Sequence, residues 1–203
     1  MRFFDSPLYH ALCSIFDLVI ANLLFILCSL PVVTMGASYG ALCYVCQRIS
    51  RGEGSIWRDF FSAFRQSFCR FSICFWLLVL CFAVIVADFW IIGVYWTSAF
   101  RYVPLGLLLL AGLLLLITGS YLFPMLADSM QPPRKLLSAA FVQSMCHLPR
   151  TVLICLLKLL PLALFLFLTS TFFLTCVVWI VIGFSLTEYV IALLTKPILS
   201  NLP

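Results

Sequence analysis

Charge is scarce in this sequence: 9% of its 203 residues are Asp, Glu, Lys or Arg, while 65% are hydrophobic. An ordinary globular domain carries roughly 25% charged residues, so the composition excludes a chain whose whole surface faces water. Histidine is scarcer still, with only His10 and His147. That shortage argues against metal binding, because a structural metal site wants about four convergent ligands. No HExxH, GxSxG or P-loop sequence occurs, and no carboxylates pair in a polar context. The chain is expected not to be an enzyme and to need neither cofactor nor metal. Its basic residues are too few to bind nucleic acid.

Long apolar runs take the place of charge. A bilayer core about 30 Å thick is crossed by roughly 20 apolar residues in a helix, because lipid cannot satisfy open backbone groups. Five such runs stand at 15–34, 71–95, 105–126, 151–174 and 176–195, the last two nearly touching at Thr175. They predict an all-α, polytopic helical bundle forming one membrane domain over residues 1–203. The N-terminal stretch, with Asp5, His10 and Asp17 against a single Arg2, has the wrong charge for a signal peptide. The lipid bilayer is thus the first partner.

The few cations are unevenly distributed. Arg48, Arg51, Arg58, Arg65 and Arg70 fall in the first connection, Arg134, Lys135 and Arg150 in the third, and Lys196 after the last run. Placing them together in the cytoplasm leaves only Arg2 and Arg101 outside. The positive-inside rule then predicts an outside N-terminus and a cytoplasmic C-terminus.

Within those connections, Trp57, Phe60, Phe61, Phe64 and Phe68 fall at helical spacing and are flanked by Arg58 and Arg65. An aromatic face edged with arginine suits a helix at the membrane surface, either inserted in lipid or packed on the bundle. A second amphipathic segment over 136–146 resembles the first once Ala140 is treated as an insertion. Two parallel units, 15–95 and 105–174, followed by a fifth span, are therefore expected. Gln131-Pro132-Pro133 should start the second surface helix, since proline suits a first helical turn.

Other features concern packing. Pro31 should end the first helix, and Gly36-x-x-x-Gly40 after it permits close helix approach, within the chain or to a second copy or partner. Ten cysteines, most of them in apolar runs, read as small hydrophobes. Charges inside the runs are costly and tend to face a partner or a cavity. Lys158 and Glu188, at matching depth on adjacent helices, are expected to pair. Asp88 lies within loop reach of Arg101.

The run Asn22-Leu23-Leu24-Phe25 through Leu30-Pro31-Val32-Val33-Thr34-Met35-Gly36-Ala37 resembles the opening of the YesL-like bacterial membrane proteins, a family of unknown function. Arg51-Gly52-Glu53, Asp59-Phe60-Phe61, Leu122-Phe123-Pro124, Leu148-Pro149-Arg150-Thr151 and Gly183-Phe184-Ser185-Leu186 fit as well, whereas Pro132-Pro133 and the Leu-rich third span depart from it. The resemblance implies a bacterial cytoplasmic-membrane protein and a non-enzymatic accessory role in oligosaccharide uptake or sensing. The partner implied is a sugar ABC transporter permease or a sensor kinase. The rival expectation is a small carrier whose path is lined by Asp88, Lys158 and Glu188, and a third is a structural membrane protein.

Overall fold

The computed structural model describes residues 7–53, 55–96, 99–129, 131–167 and 176–199, and among these there is no strand. The helices are α1 (Pro7–Ser29), α2 (Met35–Arg51), α3 (Ile56–Gln66), α4 (Phe68–Tyr95), α5 (Tyr102–Asp128), α6 (Pro133–Cys146), α7 (Leu148–Phe167) and α8 (Phe184–Leu199). Four stretches are long and apolar enough to cross a bilayer: Leu12–Ser29, Phe68–Tyr95, Tyr102–Asp128 and Cys176–Pro197. A fifth arises if α6 and the start of α7, bent by 106° at His147, count as one broken span. The expected fourth span, 151–174, is helical through Phe167. Its end and the connection at Thr175 lie outside the described residues.

Proline and glycine set the boundaries. α1 stops at Ser29, short of the expected 34, because Pro31 has no N–H to continue the ladder and restricts the residue before it. Pro133 occupies the first turn of α6, where a missing N–H does no harm. Gly52 ends α2 with φ +74°, while the Glu53 N–H bonds the Arg48 carbonyl and the Gly52 N–H bonds that of Ile49.

The main departure from the sequence reading is α2. The first connection was expected to hold one surface helix, yet its first 17 residues form a separate helix that packs against α1, α3, α4, α5 and α8. Its small residues make this possible. A Cβ on Gly36 would stand 2.7 Å from Phe75 Cβ and 2.8 Å from Ser72 Cα, and one on Gly40 would overlap the Phe71 ring. The small-residue seam is therefore covered by α4 of the same chain and is not open to a partner, while Pro31 remains exposed beside it.

α2 also returns the chain to where α1 began. Cys13, Ser14 and Asp17 of α1 share a pocket with Val45, Arg48, Ile49 and Glu53, so the two helices form an antiparallel hairpin. The expected opposition between the start of the first span and the first basic segment is not seen; both lie at one end of the bundle. Arg51–Asp128, Arg48–Asp59 and Arg70 on the Gln131 carbonyl mark that same end.

The hairpin's tip is apolar. Leu30, Val32 and Val33 are exposed, and the backbone turns on its own bonds, with the Thr34 hydroxyl donating to the Cys28 and Pro31 carbonyls. From Phe75, which faces Gly36, α4 continues to Tyr95, roughly 30 Å further at 1.5 Å per residue.

The two surface segments share one joint. Ser67 between α3 and α4, and His147 between α6 and α7, each donate back to the preceding helix and accept from the residue four further on. In both cases a helix leads in, α2 or α5.

Two outcomes are expected. Gly40→Ala should lower stability by about 1–3 kcal/mol, the usual penalty of overpacking, because Phe71 has no room to yield. Gly93→Ala, which meets nothing within 4 Å, should leave the thermal midpoint in detergent unchanged. With the exposed native cysteines replaced, Val33→Cys should resist an impermeant maleimide from either side of the membrane, while Glu53→Cys should label.

Candidate functional site

Polar side chains from three helices, α2, α7 and α8, meet inside the bundle. Lys158 of α7 donates to the Tyr39 hydroxyl at 2.7 Å, and Tyr39 donates to Glu188 Oε1 of α8 at 2.6 Å. The Lys158 ammonium stands 3.6 Å from Glu188 Oε1 and 5.4 Å from the centre of the Tyr39 ring. The Cys43 thiol lies 3.5 Å from Glu188 Oε2. Phe123 and Phe75 wall the Tyr39 ring, with centroids at 4.8 and 6.5 Å. Glu188 is 7% exposed and Lys158 21%, so the carboxylate is sealed while the ammonium reaches an apolar groove between α4 and α5.

A second polar centre lies where α8 begins. Residues Trp179–Gly183 form a π-turn, which widens the ladder and loosens its carbonyls. Asn22 of α1, fully buried, fills the opening. Its amide donates to the carbonyls of Trp179 at 3.1 Å and Ile180 at 2.6 Å, and its oxygen accepts from the Ser185 N–H at 3.0 Å. One amide thus serves three backbone groups. Asn22 had been noted only within a family-like run; a buried amide in an apolar helix was the available signal. Gln47, also buried, donates to the Pro124 carbonyl at 2.8 Å. Thr151 bridges Tyr121 and the Ser144 carbonyl.

The other residues singled out from sequence scatter. Asp88 is exposed on the far half of α4 and does not join Lys158 and Glu188. Nor does it pair with Arg101, whose guanidinium bonds Tyr102. On α3, Phe60 and Ala63 turn into the bundle and Phe64 is half-buried, while Phe68, expected on the same helix, lies past the break at Ser67 as the first residue of α4. Trp57 and Phe61 stay exposed with Arg58 and Arg65. Both expected placements of this helix therefore coexist on different faces. Among the described residues no group of three or more His, Cys, Asp or Glu side chains is arranged to hold a metal.

Along α1, Leu12, Phe16, Leu23, Leu27 and Leu30 are all exposed, at i, i+4, i+11, i+15 and i+18. The second half of this stripe and the Trp57 ring enclose an apolar groove of about 340 Å³.

Separate variants should reveal the coupling in the charged cluster. Removing one partner of a buried pair costs about 3–5 kcal/mol, so Lys158→Met and Glu188→Gln should each destabilise the protein strongly. The double variant should recover much of that loss in a thermal unfolding series, whereas additive losses would mean that the two do not interact. Asn22→Leu should cost on the order of 1–3 kcal/mol through the polar backbone groups it leaves unpaired.

Comparison with known proteins yields no match among curated proteins and none among solved structures. A family model described as "Protein of unknown function, DUF624" matches residues 18–89, which run from α1 through α2 and α3 into the far half of α4. The matched family is the YesL-like family of uncharacterised membrane proteins that the sequence resembles, and the match covers about a third of the chain.

Proposed function

We propose that this chain is a non-enzymatic accessory component of a carbohydrate uptake or sensing system in the bacterial cytoplasmic membrane. It docks to a membrane helix of its partner, a sugar ABC transporter permease or a sensor kinase, through the exposed face of α1. The observation that carries this reading is the stripe from Leu12 to Leu30. Its spacing is that of a helix-packing seam, and Trp57 turns the second half into a concave seat. Leu27 at 64% and Trp57 at 59% exposure have no neighbour among the described residues to cover them. The carbohydrate assignment is supported by the family resemblance.

The interior speaks against a carrier. Glu188 is sealed by Tyr39 and Cys43, and Asp88 lies apart from it, so the three charges do not line one path. The basic end, with Arg48, Arg51, Arg70 and Lys196, faces the cytoplasm on the positive-inside rule. The start of α1 and the end of α8 lie on that side too.

A photo-crosslinking residue at Leu27 in native membranes tests the docking. The expected result is a discrete adduct with a permease or sensor kinase, absent when the probe sits at Val84 on α4, which is equally open to lipid. Adducts with lipid alone, or the same adducts from both positions, would overturn the reading. An adduct with a second copy of this chain would make α1 a homo-oligomer seam instead.

A further inference from the structure

A separate apolar groove of about 430 Å³ runs between α4 and α5, with Tyr39 and Lys158 among the residues that line it. That volume is in the range of about 300–1,000 Å³ usual for small-molecule sites. Leu78 and Phe82 form one wall and Leu116 and Phe123 the other, with Gly119 leaving a gap between them. The apolar track does not stop there. Phe82 and Leu116 also line a further groove of about 330 Å³ that reaches Phe89 and Leu108. From Phe123 to Leu108 along α5 the track is roughly 22 Å long, the shape of one extended hydrocarbon chain.

The polar end is incompletely satisfied. An ammonium carries three N–H donors. Among the described residues, Lys158 has one acceptor within hydrogen-bond distance, the Tyr39 oxygen; Glu188 stands beyond it at 3.6 Å. Ser120 offers the groove nothing, because its hydroxyl is bonded to the Leu116 carbonyl. The groove thus presents a long apolar channel with one under-bonded cation in its lining.

We propose that this channel binds a long-chain fatty acid, its carboxylate accepting from Lys158 and its chain lying between α4 and α5. A free carboxylate suits the site better than a phospholipid phosphate. Lys158 lies ten residues into α7, about 15 Å from its first residue, deeper than a phosphate headgroup sits. Tyr39 and Glu188 hold the ammonium in place from behind, so the incoming anion meets the cation first.

The test uses the full chain in phosphatidylcholine nanodiscs, with radiolabelled palmitate as the probe. Saturable binding is expected, weaker by about tenfold or more in Lys158→Met and retained in Lys158→Arg. Because Lys158→Met leaves Glu188 buried without its cation, Gly119→Leu provides the independent arm. It fills the channel without touching the charged cluster and should also abolish saturable binding. Unlabelled hexadecanol, which has the chain without the charge, should compete poorly. Several results would overturn the proposal: no saturable binding, equal competition by hexadecanol, stronger competition by phosphatidylglycerol, or undiminished binding in Gly119→Leu. None of these bears on docking along α1, which lies on a different face.

Discussion

Close approach of backbones along α2 is the constraint on which the rest of this bundle depends. Between helices in lipid the hydrophobic effect gives no net drive, since acyl chains are as apolar as leucine; packing and hydrogen bonds must do the work. Gly36 and Gly40 let α4 lie with the Phe71 ring and the Ser72 backbone where side chains would otherwise stand. On another face Ala41 and Val45 meet Leu18, Ala21 and Leu24 of α1, with Ala192 of α8 in the same cluster. α5 completes the surround through Gln47 and Arg51. A larger residue on this helix would separate several neighbours at once, because one short helix is shared by so many.

Polar groups then fix the register that packing alone leaves soft. Each buried donor or acceptor needs a partner, because an apolar surrounding supplies none. Asn22 ties α1 to the π-turn, Gln47 ties α2 to α5, Thr151 ties α7 to α5, and Glu188 ties α8 to α2 and α7. Sliding any of these helices by one turn would leave at least one such group unpaired. The π-turn is a local defect in a helix that is mended from outside by another helix. Asn22 and the turn at Trp179–Gly183 are therefore parts of one feature, though they lie far apart in the chain.

Long apolar runs and proline placement made α1, α4, α5 and the start of α7 legible, since composition alone decides whether about 20 residues can cross hydrocarbon. The amphipathic segments over α3 and α6 were legible for a similar reason, because helical spacing survives in a short window. α2 was not. Its arginines, glutamine and glycines give it the composition of a connection, and its burial depends on neighbours that arrive later in the chain. The Gly36-x-x-x-Gly40 spacing was the one local trace of it. Missing α2 also left the start of α1 apart from the first arginines, which the return of α2 brings to the same end of the bundle. The proximity of Lys158 and Glu188 followed from matching depths on adjacent helices, whereas Tyr39 as the link between them did not. Its neighbours come from α7 and α8, and nothing local to Tyr39 announces them.

The distribution of unsatisfied surface is the last point, and it bears on what such a protein does. Among the described residues its polar interior is largely closed: Asn22, Tyr39, Gln47, Thr151 and Glu188 are bonded to each other or to backbone, while the Ser72 hydroxyl and Arg70 Nε have no partner. Its outside is apolar over α1 and over the distal halves of α4 and α5, where Trp90, Val94 and Leu107 are exposed among the described residues. A carrier concentrates its polar groups around a path that two conformations expose in turn. Here the polar groups join helices instead, and a network spanning α1, α2, α5, α7 and α8 resists the relative motion that alternating access requires. An interior cross-linked by hydrogen bonds with apolar outer faces is the arrangement on which the proposed docking role rests. The half-buried Lys158 beside an apolar groove is the exception that such a surface allows.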